Sequence, residues 1–169
     1  MESRYVVRSR YVVRDSRQGK ILVARLKPEA DLLLSIKKIA EKESVKSGVI
    51  LSGAGLLRKA HIRNCKSLPR EYPITDANRM FTTIERPLEV LAISGIIYTV
   101  KGEPNVHAHV VLSFIENGKI SVVGGHLLEG CLIYGFAEIV IMELEEINME
   151  KTFDSETRTL QLFAEESRP

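Results

Sequence analysis

Residues 20–26 read KILVARL, a short apolar run rich in strand-forming residues. A different rhythm follows. Leu32, Leu33, Ile36, Ile39 and Ala40 recur at helical spacing, while Lys37, Lys38, Glu41 and Lys42 cover the opposite side. This predicts one amphipathic helix that opens at Pro28, carries Glu29 and Asp31 at its positive amino-terminal end, and stops at Ser47-Gly48. Beyond it the patterns are those of strands: VILSGAGLL, KAHIRNC, a turn-rich connection from Pro69 to Asn78, MFTTIE, LEVLAISGIIYTV, a hairpin, and YGFAEIVIMELE. The closing FDSETRTLQLFAEE reads as a turn followed by a short helix or closing segment. Many strands are apolar on both faces, so the helix is expected to cover one side of the sheet, and further strands or another subunit the other. The predicted fold is α+β, a mostly antiparallel sheet with one main amphipathic helix packed on it, in a single domain.

The hairpin carries the chemistry. Asn117-Gly118 is a strong signal for a two-residue type I′ turn, which needs positive φ at both positions. With those two residues in the loop, Glu116 faces Lys119, and His109 falls opposite His126 with Cβ atoms about 5 Å apart. His107 precedes His109 by two residues, so the alternation of a strand turns it to the same face. Three of the chain's four histidines therefore converge on one point. Three imidazoles with an open fourth position is the donor set of catalytic zinc sites. A bulge at Gly124-Gly125 would slip the register and turn His126 away. Only neutral imidazole ligates, so bound metal is expected to leave as the pH falls below about 6.

Composition narrows the setting. The chain has 169 residues, 44% of them hydrophobic, and a net charge of +2, which suffices for one core and argues against a protein devoted to neutralising phosphates. No apolar stretch is long enough to cross a bilayer, and the amino terminus MESRYVVRSRYVVR lacks a signal-peptide core. Cys65 and Cys131 form no CxxC and read as reduced, buried thiols, which suits a cytoplasmic protein. The tandem SRYVVR at 3–8 and 9–14 lies in a basic extension, residues 1–18, ahead of the domain at 19–169. That extension is read either as an arm touching nucleic acid or a neighbouring subunit, or as a frayed end.

RLKPEADLLLSIKKIAEKESVKSGVILSGAGLL, RPLEVLAISG and NVHAHVVLSFIENGKISVVGGHLLEG, in that order, resemble the plants-and-prokaryotes-conserved (PPC) domain. The His107-x-His109 pair, Gly124-Gly125-His126-Leu127 with Glu129-Gly130 behind it, and the Glu89 segment are the most specific pieces. The resemblance implies a small α+β domain that assembles as a homotrimer. It further implies a fold similar to acetolactate decarboxylase, in which three histidines hold zinc, and so assigns zinc to His107, His109 and His126. In plants this domain is joined to AT-hooks that grip DNA. No Arg-Gly-Arg-Pro core of that kind occurs in this chain, which leaves little support for direct DNA binding.

Glu89 stands in an otherwise apolar strand, where a carboxylate is costly to bury without a partner. It is a candidate catalytic residue, a general base on a metal-bound water or an anchor for a histidine ligand, and alternatively a strand-edge carboxylate paired with Arg86. His61 shares a face with Arg63 and Cys65 and is left outside the ligand set. Glu129 is a weaker candidate for supporting a ligand. Tyr98 and Tyr134 are read as lining a pocket or packing in the core. Three functions compete: a trimeric metal-binding protein with a regulatory or small-ligand role, with a small acidic ligand at the metal as one partner; a metal-dependent lyase or decarboxylase acting on a small oxo- or hydroxy-acid; and a DNA-associated protein.

Overall fold

The computed structural model of the chain describes residues 11–163. Six strands form one antiparallel sheet in the order β1-β6-β2-β3-β4-β5. They are β1 (Arg17–Leu26), β2 (Gly48–Cys65), β3 (Arg79–Val100), β4 (Glu103–Glu116), β5 (Lys119–Leu127) and β6 (Leu132–Glu145), with helix α1 (Leu32–Lys42) between β1 and β2. One further pairing bends this sheet on itself: Ile62 and Arg63 of β2 lie opposite Leu127 and His126 of β5. Strands β2 to β5 therefore curl into a closed group, and that closure brings the end of β2 to the histidine hairpin.

Two pairs of predicted strands are each one long strand. VILSGAGLL and KAHIRNC run together in β2, and MFTTIE and LEVLAISGIIYTV in β3. Pro87 does not break β3 because the β2–β3 ladder slips between Leu57 and Lys59, opposite Arg86 and Pro87. A proline without an N–H is tolerated at such a bulge. The carboxy-terminal segment is also corrected. Residues 151–162 form a hairpin of β7 (Lys151–Asp154) and β8 (Thr159–Leu162) and no helix. Its turn is held by the Asp154 carboxylate, which accepts from Thr157 N at 2.8 Å and Thr157 Oγ1 at 2.7 Å.

The helix starts four residues later than predicted and ends sooner. Backbone groups of residues 29–32 are committed to the β5–β6 connection: Glu29 N donates to Ile133 O, Leu32 N to Cys131 O, and Ala30 O accepts from Ile133 N. Glu29 has φ +66°, outside helical space, and its carboxylate pairs with Arg58 at 2.6 Å. Asp31 is the true cap and accepts from Leu34 N at 3.0 Å. At the other end Ser44 takes φ +58°, Val45 N donates to Ala40 O and Ser44 N to Glu41 O. That is a Schellman stop built on serine instead of glycine. Between the caps, Leu32, Ile36 and Ala40 are fully buried against the sheet, and α1 lies over β4.

Asp31 holds more than the helix. Its second oxygen accepts from Gly130 N at 2.6 Å, tying α1 to the loop that follows β5. Asp31→Ala is expected to lower stability by about 1–2 kcal/mol, read as the shift in urea midpoint.

Among the described residues, the sheet's other side carries exposed apolar side chains. Val23, Ile120, Ile115, Tyr134 and Leu91 are all more than half exposed, as the doubly apolar strands led us to expect. The basic repeat at 3–8 and the first residues of its second copy lie outside the described residues. Of that copy, residues 11–14 are exposed and belong to no regular element.

Candidate metal centre

The turn behaves as its residues require. Asn117 and Gly118 have φ of 51° and 73°, Glu116 faces Lys119, and His109 faces His126. Pairing runs unbroken through Val110–Gly125 and Val111–Gly124, so no bulge displaces His126. The three rings stand 4.8–5.3 Å apart between centroids. His107 Nε2 and His109 Nε2 are separated by 3.2 Å, and one ligating nitrogen from each of the three residues lies within 4.8 Å of the others. His107 and His126 are half-buried, while His109 is exposed. Three convergent imidazole nitrogens with one open side fit a divalent ion that keeps a position for water or ligand.

Gly125 makes the site possible from behind. A Cβ there would stand 2.8 Å from Asn64 Nδ2 and 2.9 Å from Arg63 O, so glycine lets β2 close on β5. This approach brings Arg63 to His126, where its guanidinium donates to Nε2 at 3.2 Å. The contact uses the single lone pair of an unprotonated Nε2, which Arg63 must give up before that nitrogen can take a metal. Burial, reinforced by the charge of Arg63, pushes His126 down to about 3. His107 is lowered too, first by burial and then by Lys151. Both shifts favour the neutral form of His107 and His126, the form that ligates.

A cavity of about 560 Å³ opens beside His107 and His126. His61, Arg63, Tyr98, Asn105, Glu129 and Lys151 contribute its polar wall. His61 keeps to its own contacts, with Nδ1 at 2.9 Å from Glu129 O, and stays outside the cluster. Tyr98 lines the cavity beneath Lys151, whose Nζ lies 4.1 Å from the ring centroid; Tyr134 points away on the exposed face. Glu89 is not brought to the histidines. It is exposed, opposite Ser113, four residues along β4 from His109 and so about 13 Å away at the rise of a strand. There it lines a separate groove with Leu56, Pro87 and Phe114. Arg86 pairs with Glu116 at 3.2 Å instead. Cys131 is buried as expected, but Cys65 is exposed near the end of β2.

Sequence reading missed Arg63, Asn105 and Lys151 as parts of the site. Arg63 alternates with His61 on β2, but only the long-range β2–β5 closure places it at the metal centre. Lys151 arrives on β7, anchored where Thr99 N donates to Met149 O at 2.8 Å.

Fold and centre together define a small, strongly curled β-domain with one covering helix and a three-histidine cluster on a hairpin. The chain belongs to the Plants and Prokaryotes Conserved (PCC) domain family, whose model matches residues 13–145. It is similar to a metal-containing protein of Archaeoglobus fulgidus, with 25% identity, a TM-score of 0.73, and coverage of 90% of this chain and 99% of that one. A plant- and prokaryote-conserved protein of Pyrococcus horikoshii aligns with 27% identity and a TM-score of 0.71 over 94% of this chain and 100% of its own. The bifunctional protein GlmU of a Synechococcus strain is 32% identical over 143 residues, 85% of this chain and 20% of the relative. The chain thus spans about a fifth of the length of the curated relatives it matches. Among the described residues, no helix is long and apolar enough to cross a membrane.

Proposed function

We propose that this chain is a metal-binding PCC-domain protein that holds one divalent ion, zinc by its donor set, on His107, His109 and His126. Its role is regulation or the binding of a small ligand. The convergence of three ligating nitrogens within 4.8 Å carries this reading, and the related Archaeoglobus protein is described as metal-containing. All-imidazole coordination suits zinc over magnesium or calcium, which prefer oxygen. Self-association as a trimer would cover the exposed Ile115 and Ile120, paired on the β4–β5 hairpin, since apolar surface favours cover by a partner. A lyase would need a proton carrier at the metal, and Glu89 stands too far from the histidines to be that group.

Elemental mass spectrometry on protein purified without added metal is the test. About one ion per chain is expected, falling to none in the variant with all three histidines changed to alanine. A folded wild-type protein that neither carries nor takes up metal would refute the reading. Light scattering expects three times the chain mass, and a monomer across the accessible concentration range would remove the trimer.

A further inference from the structure

We propose that the cavity beside the histidines binds a small organic acid, its carboxylate clamped between Arg63 and Lys151 and directed at the open side of the metal. This inference rests on the metal reading above and adds the chemical class of the ligand and the residues that select it.

Three observations carry it. First, Arg63 and Lys151 both line the cavity, and among the described residues neither forms an ion pair with an acid. The neighbouring Asp76 is engaged by Arg79 at 2.8 Å, while Glu129 stands exposed at the rim. Second, a divalent ion on His126 would add to the positive charge of Arg63, already at 3.2 Å from that ring's Nε2. A cation site walled by cations calls for an anion, and a bound carboxylate would offset part of that charge while facing the ion and both side chains at once. Arginine presents a planar fork that matches a carboxylate's two oxygens. Third, the remaining wall suits an organic body: Phe81, Leu33 and Leu127 are apolar, and Asn105, whose carboxamide oxygen accepts from Val106 N at 2.9 Å, keeps its NH2 free to donate. At about 560 Å³ the cavity has room for a small metabolite. Lys151 lies beyond residues 13–145, the stretch that matches the family, so the clamp depends on this chain's carboxy-terminal hairpin.

The test uses the full chain loaded with cobalt(II), whose visible bands report changes in coordination. Pyruvate, as a small oxo-acid, is expected to change them saturably with a Kd of about 1 mM or tighter, and inorganic phosphate to act more weakly. Lys151→Met and Arg63→Met should each weaken pyruvate binding about tenfold or more, with Arg63→Lys falling between. Arg63→Met should meanwhile bind cobalt at least as tightly as wild type, because it removes a positive charge from the ligand. That opposite pair of effects separates an anion clamp from a merely structural arginine. Circular dichroism checks each variant's fold, and Lys151→Met decides alone if Arg63→Met fails to fold. Cobalt bound without any response to pyruvate, a preference for phosphate, or unchanged affinity in the folded variants would overturn the clamp and leave the metal reading intact. Absence of the cobalt bands would overturn the metal reading. Calorimetric titration of the metal-free chain with pyruvate would then decide the clamp alone, and no heat would overturn it.

Discussion

Gly95→Ala is expected to destabilise the protein by about 3 kcal/mol, which lowers its melting temperature by roughly 6–12 °C for a chain of this size. Gly95 lies mid-sheet, paired with Ile50 of β2 on one side and Ala108 of β4 on the other. A Cβ built there would overlap the carbonyl oxygen of His107 and come within 2.8 Å of the Cα and Cβ of Ala108. Two of those contacts are with backbone, which cannot rotate aside, so β4 itself must move. The strand that must move carries His107 and His109 on either side of Ala108, and metal affinity should fall with stability. Gly135→Ala is the matched control. No atom lies within 4 Å of a Cβ at that exposed position, and the change should stay within about 0.5 kcal/mol. Thermal melts with and without zinc, at one protein concentration, check both variants. Equal melting temperatures for Gly95→Ala and wild type would show that the sheet can open at this point.

The hairpin was legible from sequence because its information is local. Asn117-Gly118 fixes the turn, the turn fixes the register, and the register fixes which histidines meet. Helix α1 was legible in its middle, where the apolar spacing is set by burial against the sheet, and illegible at its ends. Pro28 looked like a first-turn residue, yet the backbone of residues 29–32 bonds to the β5–β6 connection, and Ser44 ends the helix without the expected glycine. Pro87 and the turn-like 153–166 segment misled for the same reason. A bulge that accommodates proline, or a hairpin closed by Asp154 and Thr157, leaves only a weak local mark. Arg63 and Lys151 were hidden more deeply. Their place beside His126 and His107 follows from the closure of β2 on β5 and from β7 docking near Thr99, contacts between residues far apart in the chain.

Acid should begin to weaken the metal-free fold as the pH falls below about 6.5, above the range of ordinary carboxylates. An unfolded-chain imidazole takes its proton near pH 6.5. In the folded protein burial and Arg63 hold His126 at about 3, and burial and Lys151 lower His107. Between these limits the unfolded state binds more protons than the folded one, so stability must fall as the pH drops below 6.5 and level off only below about 3. One excluded proton corresponds to at most about 1.4 kcal/mol per pH unit. Because His126 is only half-buried, solvent screening reduces the loss to about 1–3 kcal/mol over the whole window. Urea midpoints at pH 7, 5.5 and 4.5 would record it, and His126→Gln should flatten most of the slope. The carboxylates of Glu29 and Glu85, lowered by hydrogen bonds from Arg58 and Lys59, add their own loss only as the pH approaches the unfolded carboxylate value of about 4.3, so the step from pH 7 to 5.5 reads the histidines. The same depressed affinities bear on metal release. Protons compete for the ligands only where the folded, empty site would accept them, so the ion should persist below the pH of about 6 that free imidazole suggests. Metal content after dialysis across pH 7 to 4 reads this directly, and a release midpoint at or above pH 6 would mean that solvent reaches His107 and His126 far more freely than their burial implies.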